Sequence, residues 1–441
     1  MAQSTKEPKN MLEEFFQAES APGIALIFAT VVALVVANSP LKDMYHHILE
    51  FHIQLGFGSL QIDESLHHWI NDGLMAIFFL LVGLEIKREI RFGELSSFRS
   101  AIVPVVAAAG GAALPAVIYI ALNGGTELAR GWAIPMATDI AFVIGLVALL
   151  GSRVPTWAKV FVVTLAVVDD IFAVLVIAFF YTAELNFTAM YIAAACVAVL
   201  ALLNVRKVYH LGPYLLIGFV MWIAVLKSGV HATIAGVLLG FLIPAERKIS
   251  PSELLERAEM GLTRFRDWVT AAQSKEHHEA DEMALEHLEE AVVESESPLH
   301  RLEHKIHPWV MLGIMPIFAF ANAGVELNLT ALQGALNSPV TWGIVLGLFF
   351  GKQIGIFGAS WLLVKFRVVP REQTKETWII FYGLAALAGV GFTMALFINN
   401  LAFTEITLNE QAKMGILAVS LVNALLGYYV LRTLPEQPDT A

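Results

Sequence analysis

The 441 residues are 57% hydrophobic and only 15% charged, with a mean hydropathy of +0.66, which excludes an ordinary soluble domain and points to a polytopic all-α membrane protein. The net charge of -11 gives no support to nucleic-acid binding. The single cysteine, Cys196, sits inside an apolar run and leaves neither a disulfide framework nor a thiol site.

Residues 1–21 are polar and acidic, and the apolar run after them ends in ANSP without a small-x-small cleavage pattern, so the first span is expected to stay. With about 30 Å of hydrocarbon to cross at about 1.5 Å per residue, twelve stretches qualify as spans. They lie near 22–38, 67–86, 101–122, 131–150, 158–182, 187–203, 211–226, 229–244, 308–325, 339–364, 376–400 and 411–432. The domain plan is therefore a cytoplasmic N-terminus (1–21), spans one to eight (22–244), a long loop (245–307), spans nine to twelve (308–432) and a tail (433–441).

Lys and Arg near the span ends set the orientation. One set of connections carries Lys87, Arg88, Arg91 and Arg99, then Arg153 and Lys159, Arg206 and Lys207, and Lys365, Arg367, Arg371 and Lys375. The alternate connections hold only Lys42, Arg130, Lys227 and Lys413. Both termini are then cytoplasmic, in agreement with an even span count.

Between spans one and two, FHIQLGFGSLQID alternates apolar and polar residues around Gly56 and Gly58, which predicts a two-stranded extracytoplasmic hairpin over 51–62. A lone hairpin is marginal in water, so it either pairs with a second copy, making a homodimer, or lies as an ordered loop on its own protein. In the 245–307 loop, Ser252-Glu-Leu-Leu-Glu256 opens a capped amphipathic helix, and a second Glu-rich helical stretch is expected over Glu279 to Val293. The region gathers His277, His278, His287, His300, His304 and His307, about half of the chain's 13 histidines. A solvated acidic helical pair is the favoured reading over a pH-responsive element or a metal tract.

The chemistry points to the stretch from Gly131 to Phe172, where GWAIPMATDIAF and TLAVVDDIF place Asp139, Asp169 and Asp170 inside two apolar spans. A mid-bilayer carboxylate costs at least roughly 2.5–3.5 kcal/mol on insertion scales, so three of them need a reason. Adjacent acids point about 100° apart on a helix, so one structural partner does not serve both. Pro135, ahead of Thr138 and Asp139, removes a backbone donor, and Gly383, Gly389 and Gly391 interrupt the run before Thr393. Two Gly/Pro-interrupted segments in corresponding halves are the sequence pointer to a transporter site made of half-helices. Lys352, in GLFFGKQIG, lies deep in a span and supplies the missing countercharge.

Over nearly its whole length the chain resembles the NhaA-type sodium/proton antiporters of bacterial inner membranes. The motifs are WINDGLMAIFFLLVGLEIKRE, GWAIPMATDIAF, LAVVDD, LKSGVHATIAG, RLEHKIHPWV, FAFANAGV, GKQIG and GVGFTMALFI, in one order. The resemblance implies about twelve helices with inverted repeats and two broken helices. It also implies Asp170 as the principal cation ligand with Asp169 beside it, Thr138 and Asp139 at a helix break, and Lys352 as the mid-membrane lysine. His231 matches a histidine linked to pH response, and Glu85, Arg88, Glu89, Arg301, Glu303 and His304 match a charged cytoplasmic funnel. Asp72 would lie toward the other face, beside Asn71. Two departures stand out: an insertion of several tens of residues before RLEH, and Gln353 where the family pattern has proline.

The implied function is pH-regulated, electrogenic exchange of cytoplasmic Na+ or Li+ for external H+ across the inner membrane, in the service of salt tolerance. It would proceed by competition of cation and proton for the aspartates, which would titrate as a coupled cluster. The carboxylates of Asp170, Asp169 and Asp139, backbone carbonyls and the Thr138 hydroxyl would be the oxygen ligands, which suit such hard cations. Lys352 would either hold one aspartate ionised or itself release a proton when the cation binds. No enzyme activity and no cofactor is expected, the ions being cargo. The partners are membrane lipid and a second copy of the chain. An intramembrane aspartyl protease would want Gly-x-Gly-Asp, but Gly389-Val390-Gly391 is followed by Phe392, and Lys352 would quench the dyad. The stronger rival is another Na+- or H+-coupled carrier of an organic solute; a channel would want a repeated filter or an acidic ring.

Overall fold

The computed structural model describes residues 20–55, 62–182, 185–271, 292–366 and 374–436. They are mostly helical. α1 (Ala21–Ala37) takes proline in its first turn, and the chain then bends by 115° into α2 (Lys42–Leu49). Strands β1 (His52–Leu55) and β2 (Ile62–Ser65) form an antiparallel pair in register His52 with Ser65 and Leu55 with Ile62. The hairpin expected over 51–62 is present with its second strand moved to 62–65, and its turn, with Gly56 and Gly58, lies outside the described residues.

The remaining helices are α3 (Leu66–Phe92), α4 (Phe98–Asn123), the 3-10 helix α5 (Glu127–Met136), α6 (Ile140–Leu150), α7 (Thr156–Phe180), α8 (Phe187–Val205), α9 (Leu211–Leu226) and α10 (Thr233–Leu242). After them come α11 (Pro251–Ala271), α12 (Pro298–Ala323), α13 (Leu329–Asn337), α14 (Pro339–Lys365), α15 (Lys375–Ala388), α16 (Phe392–Ala402) and α17 (Ile406–Arg432). Among the described residues, nine helical stretches are long and apolar enough to cross a membrane, and ten if the bent pair α1 and α2 is one span. α9 and α10 are apolar but shorter.

Two boundaries differ from the sequence reading. α12 begins at Pro298, capped by Ser297, so Arg301, Glu303 and His304 ride on a span-forming helix instead of ending the loop. α11 begins at Pro251, where the Ser250 hydroxyl accepts from Glu253 N–H at 3.2 Å, so the cap is Ser250 and not Ser252. The expected second helix over Glu279 to Val293, with His277, His278 and His287, lies almost entirely outside the described residues.

Polarity is inverted relative to a soluble fold. Phe28, Phe179, Leu216 and Tyr429 are exposed, while Asp139, Lys352, Asn322, Asn399 and Asn423 are fully buried. Small residues bring the helices together. A Cβ on Gly83 of α3 would lie 2.7 Å from Val237 O of α10, and one on Gly351 of α14 would lie 2.7 Å from Pro115 Cα of α4. Such close approach is how apolar helices gain dispersion contacts in lipid. It also lays the stem of Lys352 over Gly111 of α4.

The segment that α11 opens is clamped at its base. Glu294 pairs with Lys248 and, at 2.9 Å, with Arg257 of α11, while Lys248 N–H donates to Glu294 O at 3.2 Å. The Lys248 ammonium, followed by Arg257, holds the Glu294 carboxyl below its ordinary value of 4.5. A depressed carboxylate contributes stability that is present above that value and lost as pH falls through the lower folded one. Hydrogen exchange of α11 amides, corrected for intrinsic rate, is therefore expected to stay protected down to about pH 4.5 and to rise only below it. Glu294→Gln should lose that protection severalfold already at pH 7; unchanged protection would mean that apolar packing holds the segment.

Candidate functional site

Residues 137–139, between α5 and α6, and residues 389–391, between α15 and α16, fall outside the flanking helices and meet in the buried interior. Pro135 cannot donate a backbone hydrogen bond, and its ring packs near Gly347 of α14. A Cβ on Gly389 would lie 2.8 Å from Leu348 O and one on Gly391 3.2 Å from Ala137 O, so glycine permits the close crossing. Gly383, also counted in the interruption from sequence, lies inside α15.

Backbone groups freed inside a membrane need partners, and neighbours supply them. Asp139 N–H donates to Val390 O at 2.8 Å, and the Asn423 amide donates to Gly389 O at 2.7 Å. Ser420 Oγ accepts from Phe392 N–H at 3.1 Å. The Asp139 carboxylate accepts from Phe142 N–H at 2.9 Å, from Thr393 N–H at 3.1 Å and from the Thr393 hydroxyl. Two helix N-termini, those of α6 and α16, thus end on one anion.

α7 carries the paired acids past this crossing, and their neighbouring positions give them different surroundings. Asp169 Oδ2 takes Lys352 Nζ and the Thr138 hydroxyl at 2.6 Å; that hydroxyl's single proton is shared with Ala388 O at 2.8 Å. Lys352 and Asp169 form a buried ion pair, at 0% and 1% side-chain exposure. Asp169 Oδ1 and Asp170 Oδ2 are buried without a hydrogen-bond partner. Asp170 faces a cavity of ≈ 10 Å³ that it shares with Glu85 of α3, Asp139 and the sulfur-bearing side chains of Met311, Met315 and Met394. That volume holds about one water-sized particle.

The charged residues expected at the cytoplasmic mouth divide. Arg88 of α3 pairs with Glu303 of α12, and Glu85 lies one turn deeper beside Asp170. Glu89 instead accepts from Glu94 N–H at 2.8 Å and from the Thr164 hydroxyl at 3.2 Å. Arg301 donates to Tyr209 O at 3.2 Å, and His304 meets His300 edge-on at 4.4 Å. His231 is elsewhere: its Nε2 lies 3.7 Å from Asp72 Oδ1, its Nδ1 3.1 Å from the Thr233 hydroxyl, and its ring against Phe397. Among the described residues no three His, Cys, Asp or Glu side chains converge as a ready-made metal site.

Residues 13–431 match the model of a family described as Na+/H+ antiporter 1. The chain belongs to that antiporter family. It is 48% identical to the Na+/H+ antiporter NhaA of Oleidesulfovibrio alaskensis over 97% of this chain and 95% of that relative. It is 46% identical to the NhaA of Rhodospirillum rubrum over 98% of this chain and all of the relative, and 48% identical to that of Koribacter versatilis over 95% and 90%. This member of the Na+/H+ antiporter 1 family is accordingly a multi-pass membrane transporter, not an enzyme.

In this antiporter, Gln353 has a use that its place in the motif did not reveal. Its amide donates to Asn423 Oδ1 at 3.1 Å, its carbonyl accepts from the Tyr382 hydroxyl at 3.0 Å, and Asn423 in turn holds Gly389 O. The chain from α15 through α14 and α17 to the crossing fixes the segment that follows Lys352. Asn322 in FANAG and Asn423 in SLVNALL were the available signals, since an amide inside an apolar run needs a partner.

Proposed function

We propose that the protein exchanges cytoplasmic Na+ or Li+ for external H+ across a bacterial inner membrane. The observation that carries this reading is Asp170, with an unpartnered carboxylate oxygen at a one-particle cavity beside Glu85 and Asp139. The relatives are named as Na+/H+ antiporters. A bare Na+ or Li+ suits carboxylate oxygen, and a proton on Asp170 removes the charge that holds it, so the two compete for one group. Asp139, with both oxygens engaged, acts as an electrostatic support, and Thr138 and Lys352 hold Asp169 in place. More than one proton per Na+ makes the exchange electrogenic, and Arg88, Glu303 and Glu85 regulate it with pH at the cytoplasmic mouth.

The architecture we assign is twelve spans: the nine long helices, the bent pair, α9 and α10, with the two broken spans crossing at 137–139 and 389–391. Both termini and the 245–307 segment are cytoplasmic, as Lys and Arg placement supports. Two copies join through the hairpin strands, whose edges are open to pairing. Removing residues 52–65 should then halve the particle mass in detergent, and an unchanged mass would sink the hairpin dimer. For exchange itself the test is purified protein in proteoliposomes, with lumenal pH followed after Na+, Li+ or K+ is added. Proton movement with the first two and not K+ is expected; no response to any ion would return the reading to a solute carrier.

A further inference from the structure

A second polar cluster, running from the surface into the interior, lies away from the ion site, at the end of α3 that follows β2. Four asparagines and a histidine meet there: His67 and Asn71 of α3, Asn322 in the last turn of α12, Asn400 in the last turn of α16 and Asn409 in the first turn of α17. Backbone carbonyls fix which way two of the amides point. Asn322 Nδ2 donates to Phe318 O at 2.9 Å, so its Oδ1 is the acceptor facing His67 Nε2 at 3.1 Å and Asn400 Nδ2 at 2.6 Å. Asn71 Nδ2 donates to His67 O at 2.9 Å and lies 3.1 Å from His67 Nδ1 and 3.2 Å from Nε2; its Oδ1 accepts from Asn322 Nδ2 at 3.1 Å. Asn400 Oδ1 accepts from Asn409 Nδ2 at 3.2 Å.

The cluster favours the neutral imidazole. With its proton on Nε2 the ring donates to Asn322 Oδ1. A proton on Nδ1 would meet no acceptor in the cluster, the nearest side-chain group being the Asn71 NH2 that lies against both ring nitrogens and is pinned by its own backbone carbonyl. Turning the Asn71 amide to accept it breaks both the bond to His67 O and the bond to Asn322. Of the titratable groups on the elements around it, Lys413 on α17 faces His67 with Glu410 beside it, and His68 is its neighbour on α3 with Glu64 at 3.9 Å. The Lys413 charge opposes a second cation, so protonation loosens the cluster instead of tightening it.

We propose that this cluster is a latch between α3 with α12 and α16 with α17, closed by neutral His67 and opened when His67 takes a proton from the extracytoplasmic side. His67 is then a positioning residue for exchange: α16, which carries Thr393 on Asp139, is freed at its outer end when external protons are abundant. The inference rests on the exchange and orientation proposed above. His67 is half-buried and Asn322 fully buried, so the latch reaches from the surface to the interior.

The test is labelled Na+ exchange in right-side-out membrane vesicles, with internal and external pH clamped separately, comparing wild type with His67→Gln, which keeps a donor for Asn322 and cannot titrate. Because the closed cluster and Lys413 disfavour the protonated ring, the ratio of wild-type to variant rate should be near one at external pH of about 8.5 and rise only well below the ordinary histidine value of about 6.5, reaching about fivefold by about pH 4. Changing internal pH should leave the ratio unchanged. Asn71→Asp, which gives Nδ1–H an acceptor inside the cluster, should lose the external acid effect in the same way. Coincident external profiles for wild type and both variants, or a ratio that follows internal pH equally, would overturn the latch. Wild-type vesicles that exchange no Na+ at any pH would overturn the exchange reading instead.

Discussion

Asp170→Asn is expected to abolish Na+-driven proton movement in proteoliposomes while leaving the protein at least as stable to heat as wild type. The two expectations come from one observation. Asp170 lines the small cavity and its Oδ2 is buried with no hydrogen-bond partner, so an amide of equal size removes a buried charge without breaking a bond of that oxygen. What it loses is the anion that holds the cation and takes the proton. Leaving one member of a buried charge pair unmatched costs roughly 3–5 kcal/mol, which here corresponds to Na+ binding weakened on the order of 100-fold or more. Wild-type exchange in the variant would remove Asp170 from the site, and a large fall in melting temperature would recast it as a structural residue.

The second large effect falls on stability. Lys352→Ala leaves the Asp169 carboxylate buried with the Thr138 hydroxyl as its remaining donor, and a broken buried ion pair costs roughly 3–5 kcal/mol. Thermal unfolding in detergent should show a clear loss. Adding Asp169→Asn to Lys352→Ala should return more than half of it, because the uncompensated charge is then gone. A single variant as stable as wild type, or a double variant no better than the single, would mean that the pair does not hold α7 against α14.

The asymmetry between the adjacent aspartates was only half legible in the sequence. Their spacing requires different surroundings, but which one meets Lys352 depends on the rotation of α7, and that is set by its packing against α4, α3 and the helices of the crossing. The crossing itself was better marked, since Pro135, Gly389 and Gly391 are residues whose backbone properties do not depend on distant contacts. Gly383 shows the limit of that signal: inside α15 it makes room for Leu431 of α17 and breaks nothing. The charged group expected at the cytoplasmic mouth shows a different limit. The motifs supplied six charged or titratable residues, yet of these Arg88 and Glu303 pair with each other while Glu89, Arg301 and His304 take partners of their own.

By itself the sequence determined the membrane class, the family and the buried acids and lysine, because hydropathy, span length and long ordered motifs are local properties of the chain. Tertiary structure alone decided the partners: Asp169 with Lys352, Asp139 with two helix N-termini, Asp170 with a cavity, and Gln353 and His67 with asparagines from other helices. Long-range pairing of this kind depends on how helices far apart in sequence rotate and approach, and glycine contacts such as Gly351 on Pro115 fix that approach where no local periodicity records it.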